Sequence, residues 1–121
     1  MQIAQDTDDS FYKIKCYEKS HIQINEMNYD TSLILSPEKL IAPWEVDLQK
    51  LSVHDFELIQ ALNPKIFLLG TGEKALLPPA DIINFFLKLK IGIEFMTTAA
   101  ACRTFNVLAS EKRKVVAGLI I

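Results

Sequence analysis

The spacing of apolar residues changes along the chain, and the change predicts two kinds of structure. In the first third of the chain, apolar residues recur at every second position in short runs, which is typical of half-buried strands. Turn-forming residues separate the runs, one such turn being predicted at residues 28–30, so we expect an antiparallel meander. In the first strand, Ile14 and Cys16 are predicted to share the buried face. The three predicted strands are residues 11–17, 21–25 and 31–35.

From Ser52 onward, helical periodicity alternates with continuous apolar runs. Ser52 and Asp55 have the spacing of a capping box, which predicts a helix start. Alternating helices and buried strands imply right-handed crossovers and a sheet that is largely parallel in this region. We therefore predict a single α/β domain with three layers, in which helices flank a central mixed β-sheet and an N-terminal antiparallel meander precedes it. The predicted order is a helix from Ser52, a strand at 65–69, a helix at 80–90, a strand at 91–96, a helix from Thr97 or Thr98, and a strand at 115–121.

The composition is that of one globular domain. Of the 121 residues, 50% are hydrophobic and 23% are charged, which excludes an intrinsically disordered chain. The length fits a single domain, which we place at residues 11–121 after a flexible lead-in at residues 1–10. The net charge of -2 provides no basic surplus for binding nucleic acid or an anionic membrane.

The sequence predicts neither a membrane span nor a targeting segment. The apolar runs fall far short of the roughly 20 residues that a spanning helix needs, and the N-terminus lacks the basic and apolar regions of a signal peptide. We therefore expect a soluble, cytoplasmic protein in which Cys16 and Cys102 are reduced, although a bridge between them stays open. No cysteine or histidine pair has the spacing of zinc ligands, so neither a metal nor another cofactor is expected.

Two features are predicted to meet at one edge of the sheet. The loop at residues 70–73 follows the first buried strand, and the N-terminus of the third helix follows the next strand. Ligands in such sheets bind outside the carboxyl ends of the strands, and a helix N-terminus favours an anion. The alternative is that Gly70 and Gly72 only form a tight turn with positive φ. The candidate ligand-binding residues are Gly70, Thr71, Gly72, Thr97, Thr98, Cys102 and Arg103.

Cys102 is the candidate nucleophile, because a helix start and Arg103 would lower the pKa of its thiol. The sequence offers no obvious histidine partner, so a buried, packed thiol is the favoured alternative. Arg103 has its own alternative, in which it pairs with Glu73 or Glu94 and holds the loop to the helix. Neither a carboxylate pair nor a Ser-His-Asp arrangement stands out, so no catalytic residue is assigned and an enzyme is not favoured.

The helix at 80–90 carries more apolar surface than one sheet face usually covers, so part of it is a candidate contact with a partner. A fully satisfied core, in which the sheet covers the whole apolar face, is the favoured alternative. The candidate interaction residues on this helix and the next are Phe85, Leu87, Arg103 and Asn106. The expected partners are other proteins, and a homo-oligomer stays open.

Three segments resemble a known family, namely residues 68–72, 92–98 and 100–108, the last reading Ala-Ala-Cys-Arg-Thr-Phe-Asn-Val-Leu. The family is a small domain of previously unknown function that includes mitochondrial complex I (NADH dehydrogenase) assembly factor three and an adipogenesis-associated animal protein. The resemblance extends over most of the chain, which resembles a short bacterial member of the family. It implies a three-layer fold with a mixed sheet and no established enzymatic activity, and the mitochondrial member acts by binding other proteins.

Two functions follow as hypotheses. The leading one is a non-catalytic interaction domain that acts as an assembly factor for a respiratory or membrane complex. The alternative is a small-molecule or anion-binding protein or enzyme, with its site at the 70–73 loop and the N-terminus of the Thr98 helix.

Overall fold

The computed structural model describes residues 11–18 and 20–121, so the predicted lead-in at residues 1–10 lies outside the described residues. The described residues form eight strands and three α-helices, with two short 3₁₀ turns before the first helix. The elements are β1 (Ile14–Glu18), β2 (His21–Ile24), β3 (Met27–Tyr29), β4 (Leu33–Leu35), β5 (Leu40–Ile41), α1 (Glu57–Leu62), β6 (Ile66–Thr71), α2 (Ala80–Lys88), β7 (Gly92–Met96), α3 (Thr98–Ser110) and β8 (Val115–Ile120).

The strands form a mixed five-stranded sheet and a separate three-stranded meander. The larger sheet has the order β5-β4-β8-β6-β7. Its β6 is parallel to both β7 and β8, whereas β4 is antiparallel to β5 and β8. The meander has the order β1-β2-β3 and is antiparallel throughout. These elements confirm the predicted α/β class, with helices flanking a central mixed sheet.

Each face of the larger sheet has its own core because successive side chains of a strand point to opposite faces. In β6, Leu68 faces α3 and the meander, whereas Phe67 and Leu69 face α1 and α2. The core under α3 and the meander is formed by Ile14, Ile22, Ile24, Leu33, Leu35, Leu68, Ala101, Cys102, Phe105, Val115, Ala117 and Leu119. The core under α1 and α2 is formed by Ile34, Trp44, Phe56, Ile59, Phe67, Leu69, Ile82, Phe86, Ile91, Val116 and Ile120.

The third strand of the meander was predicted wrongly. Residues 28–30 do not form a turn, because the chain already reverses at Asn25, whose φ of 51° is left-handed. Met27–Tyr29 therefore supplies the third strand. Leu33–Leu35 belongs instead to the larger sheet, where it pairs with β8 and is buried on both faces. A run of three buried residues has no alternation that would assign it to either sheet.

The prediction that Cys16 shares a buried face with Ile14 is also wrong, since Cys16 is exposed. Ile14 lies opposite Ile24, but Cys16 lies opposite Gln23, so β1 contains a bulge between the two residues. The extra residue at a bulge shifts the alternation of side chains by one position. Ile14 therefore faces the core and Cys16 faces solvent.

Two predicted helices differ from the structure at their ends. The region after Ser52 begins with a 3₁₀ turn, Val53–Phe56, before α1. Its predicted cap is present, because the carboxylate of Asp55 accepts a hydrogen bond from the Ser52 N–H at 2.9 Å. The second helix, α2, ends at Lys88 rather than at residue 90, where the backbone turns left-handed with a φ of 60°.

Candidate functional site

The loop after β6 and the start of α3 lie side by side, as the sequence predicted. The Thr98 hydroxyl accepts a hydrogen bond from the Gly72 N–H at 2.8 Å and donates one to the Ile120 carbonyl at 2.6 Å. The Thr98 N–H in turn donates to the Gly72 carbonyl at 2.9 Å. One fully buried threonine therefore connects the loop, the helix and the end of β8.

Gly70 and Gly72 are each glycine for a different structural reason. A Cβ on Gly70 would lie 2.9 Å from the Thr98 Cα and 3.2 Å from the Ala101 Cβ, so only glycine lets α3 approach β6 this closely. Gly72 has open space around it but a φ of +90°, which favours glycine. The tight-turn alternative thus accounts for Gly72, and close packing accounts for Gly70.

Several backbone donors at this edge, including the N–H groups of Gly72 and Thr98, are already bonded within the protein. The Thr71 hydroxyl accepts from the Leu76 N–H at 3.0 Å and contacts the Met96 carbonyl at 3.2 Å. At the start of α3, the Thr97 hydroxyl caps the helix by accepting from the Ala100 N–H at 3.1 Å. A ligand at this edge would therefore depend on side chains more than on these backbone N–H groups.

A shallow cleft lies next to this edge, between β1 and α3. The amide of Asn106 holds the two elements together, because it accepts from the Ile14 N–H at 3.1 Å and donates to the Ile14 carbonyl at 2.7 Å. The cleft has a volume of about 220 Å³. It is lined by Ile14, Lys15, Cys16, Tyr17, Ala99, Cys102, Arg103 and Asn106.

The cleft carries two cations and no carboxylate among its lining residues. Lys15 comes from β1 and Arg103 from α3, and both are exposed. Within the part of the chain that the structure describes, no ion pair joins Arg103 to Glu94, which was one predicted alternative. Lys15 and Arg103 therefore place two positive charges at the rim, while the Glu73 carboxylate is close enough to act on Tyr17, another lining residue.

The thiol at the base of the cleft is unsuited to nucleophilic attack. Burial raises the pKa of Cys102 to about 12, and the nearby charge of Arg103 opposes this rise only in part. The favoured alternative of a packed thiol agrees with this environment. Burial also raises the pKa of Tyr17, with further contributions in the same direction from Cys102 and Glu73.

The structure brings only some of the predicted site residues into this cleft. Cys102, Arg103 and Asn106 line it, whereas Phe85 and Leu87 lie on α2, across the sheet. Sequence reasoning missed the residues of β1, which are Lys15, Cys16 and Tyr17. No local pattern indicates them, since β1 and α3 are far apart in sequence, the bond of Asn106 to Ile14 for example joining residues 92 positions apart.

The fold and the cleft define a three-layer α/β domain with a mixed sheet and a cationic groove beside one helix. The chain belongs to the protein family of unknown function DUF498/DUF598, whose model matches residues 14–120. This match confirms the family that the sequence motifs indicated.

The relatives whose names state a function or a location are of two kinds. The chain is 40% identical over 103 residues to the "13 kDa major membrane protein" of Francisella tularensis, which covers 84% of each chain. It is 34% identical over 102 residues to NADH dehydrogenase [ubiquinone] 1 alpha subcomplex assembly factor 3 of Drosophila melanogaster, covering 79% of this chain and 51% of the assembly factor. The chain thus spans about half the length of that relative.

A solved structure supports the fold directly. The NMR structure of a Xanthomonas campestris protein, whose sequence is 39% identical, has a TM-score of 0.85 to this chain. The match covers 100% of this chain and 92% of the Xanthomonas chain. Among the described residues, none of the helices combines the length and the apolar character that crossing a membrane requires.

Proposed function

We propose that this protein is a non-catalytic interaction domain that helps to assemble a protein complex at a membrane. The observation that carries the proposal is the similarity over 79% of the chain to a complex I assembly factor. The name of the Francisella relative supports the link to a membrane. The high pKa of the Cys102 thiol supports a role other than covalent catalysis.

The partner is proposed to bind at the α3–β1 surface, which we define as Lys15, Cys16, Arg103 and Val107. Arg103 and Val107 are one helical turn apart on α3, so they share a face. Val107 is 55% exposed and lies one helical turn beyond Arg103, which lines the cleft. A partner segment with a carboxylate beside an apolar residue would match this pair.

The interaction is tested by purifying tagged protein from its native host at native expression and identifying co-purifying proteins by mass spectrometry. The test variant is Arg103→Ala, and the matched control is Arg113→Ala, which removes an exposed arginine from the turn after α3. We expect a partner with wild type and control that is lost with Arg103→Ala. The same proteins in all three samples, or no protein in any of them, would contradict the proposed surface.

We propose a cytoplasmic location, with the membrane reached through the partner. Cell fractionation followed by an alkaline wash of the membranes tests this, because the wash releases peripheral proteins. We expect the protein in the membrane fraction before the wash and in the supernatant after it. Retention in the washed membrane would show that the chain itself is embedded or anchored.

A second candidate function is favoured by the cleft volume of about 220 Å³ between Lys15 and Arg103. In this alternative, the cleft binds a small anionic metabolite rather than a protein segment. A binding ligand raises the melting temperature with its concentration, so a thermal-shift series with phosphate and small carboxylates tests it. We expect any such shift to disappear in Arg103→Gln and to persist in Arg113→Gln.

A further inference from the structure

One edge of the larger sheet ends in a strand whose second side is open. The Gly92 N–H donates to the Lys65 carbonyl at 2.9 Å, so Gly92 points its backbone groups toward β6. Backbone groups of alternate residues point the same way along a strand, and Ile93 and Phe95 therefore direct theirs away from β6. Among residues 11–18 and 20–121, no strand pairs with this outer side of β7. Such an edge is a template for another strand.

An apolar flank of α2 lies above the same edge. The other flank of this helix, with Asp81 and Phe85, faces Val53 across an open concavity of about 470 Å³. Val53 shares a 3₁₀ turn with Phe56, whose ring contacts Trp44 over β8, so this concavity lies toward the middle of the sheet. Ile83 and Leu87 are rotated to the opposite side of α2 by helical geometry, and that side therefore lies toward the outer edge of β7. Leu87 is 63% exposed, while Ile83 is half-buried. We call Ile83, Leu87, Ile93 and Phe95 the β7–α2 edge.

We propose that the β7–α2 edge binds the same edge of a second copy of this chain. The two β7 strands would run antiparallel about a two-fold axis, so that two five-stranded sheets form one continuous sheet. The two-fold axis would place the α2 helices beside each other on one face, with Leu87 of each copy against the other. This proposal goes beyond the proposed assembly function and does not depend on it.

The charges on this edge favour self-pairing in the antiparallel direction. Lys90 is exposed just before β7, and Glu94 is exposed within it. Antiparallel pairing brings the start of one strand near the end of the other, so Lys90 of each copy approaches Glu94 of the second copy. A register centred on Ile93 also sets Glu94 opposite Gly92 of the second copy, which avoids like charges directly opposite each other.

A second copy would cover more of the β7–α2 edge than an unrelated extended segment would. Such a segment would satisfy the outward N–H and C=O groups of Ile93 and Phe95, because any strand supplies these hydrogen bonds. It would leave Leu87 exposed unless it carried a helix at the same offset. The second copy supplies both the strand and the helix in the required arrangement.

The mass of the full-length protein in solution tests the proposal, measured by analytical ultracentrifugation over a range of concentrations. The test variant is Leu87→Lys, and the matched control is Leu58→Lys, which places the same charge on the exposed face of α1, where Leu58 is 47% exposed. We expect wild type and control to reach twice the chain mass as concentration rises. The dissociation constant of Leu87→Lys should be at least about tenfold larger. A wild-type protein that stays monomeric at every concentration would overturn the proposal.

Hydrogen exchange of the wild type locates the interface without any substitution. We expect the Ile93 and Phe95 amides to exchange more slowly above the dissociation constant than below it, because pairing buries these N–H groups. A dimer in which both amides exchange at an unchanged rate would place the interface elsewhere and overturn the proposal. Protection that appears only after another protein is added would overturn it in favour of an unrelated strand.

Discussion

The indole of Trp44 lies directly against the backbone of Gly118. A Cβ on Gly118 would be 2.8 Å from the Cζ3 and 2.9 Å from the Cη2 of Trp44, and 3.1 Å from the Cε1 of Phe67. The Trp44 indole N–H donates to the Asp55 carbonyl at 3.1 Å, so the ring is held at its polar end as well. A glycine in the middle of a central strand therefore makes room for the largest side chain of this core.

We expect Gly118→Ala to destabilise the protein by about 1–3 kcal/mol, the cost of overpacking a well-filled core. The matched control is Gly92→Ala, because a Cβ at Gly92 would meet only the Lys65 carbonyl, at 3.6 Å. Chemical denaturation measures the free energy of unfolding of both variants. A loss that is equal for the two variants would mean that strand propensity, rather than the Trp44 ring, explains Gly118.

We expect Thr98→Val to destabilise the protein by about 2–4 kcal/mol. The substitution keeps the shape of the side chain but leaves the Gly72 N–H and the Ile120 carbonyl without their partner in a buried place. Thr98→Ser is the control, because it keeps the hydroxyl and should recover most of the loss. If valine and serine cost the same free energy of unfolding, the methyl group matters more than the hydrogen bonds.

The parallel part of the larger sheet was predictable from the sequence because burial on two faces leaves a local pattern, whereas β4 and β5 were not assigned to this sheet. The continuous apolar runs of β6 and β8 indicate strands covered by both cores, and parallel strands bring their carboxyl ends to one edge. The adjacency of Gly72 and Thr98 follows from that rule. The contact between Gly118 and Trp44 does not follow from any such rule, because no local sequence pattern near either residue predicts that they meet.

The β1 side of the site was not predictable for a similar reason. The bulge in β1 depends on how Ile14 and Cys16 pair with β2, and a single extra residue reverses which side chain faces the core. The contact of Asn106 with Ile14 spans 92 residues of sequence. Local periodicity assigned Asn106 to an exposed face, and it gave no sign that its amide bonds to the edge of a strand.

We expect Asn106→Ala and Asn106→Asp to destabilise the protein by similar amounts, about 1–3 kcal/mol each. Alanine leaves both the N–H and the carbonyl of Ile14 without a partner. Aspartate still accepts from the N–H, but at neutral pH it turns a carboxylate oxygen toward the carbonyl. Chemical denaturation of the two variants measures this, and an aspartate variant as stable as wild type would show that the bond to the carbonyl contributes little.

The pH dependence of the stability of Asn106→Asp provides a further test. Repulsion from the Ile14 carbonyl raises the pKa of the carboxyl group in the folded variant above its usual value of about 4, and protonation provides a donor for that carbonyl. The loss of stability in Asn106→Asp relative to wild type should therefore shrink as the pH falls toward about 4 and level off below it. The loss of free energy of unfolding in Asn106→Ala relative to wild type should not change over the same pH range. Parallel behaviour of the two variants would rule out the repulsion between the two oxygens as the cause.

Cys102 should make the stability of the protein depend on pH above pH 9. Its pKa is raised by burial from an ordinary 9.0 to about 12 in the folded protein. Between these values the unfolded chain loses the thiol proton while the folded protein keeps it, so the unfolded state is favoured as the pH rises. We expect the free energy of unfolding to fall with a slope of at most about 1.4 kcal/mol per pH unit above pH 9.

The matched control for this prediction is Cys102→Ala, which removes the titrating group. Its stability relative to wild type should improve as the pH rises from 9 toward 12. Thiol labelling of the native protein near neutral pH provides an independent measure, since Cys16 should react quickly and Cys102 only after unfolding. Fast labelling of Cys102 in the native protein would instead indicate an accessible thiolate, and it would reopen a chemical role for the α3–β1 cleft.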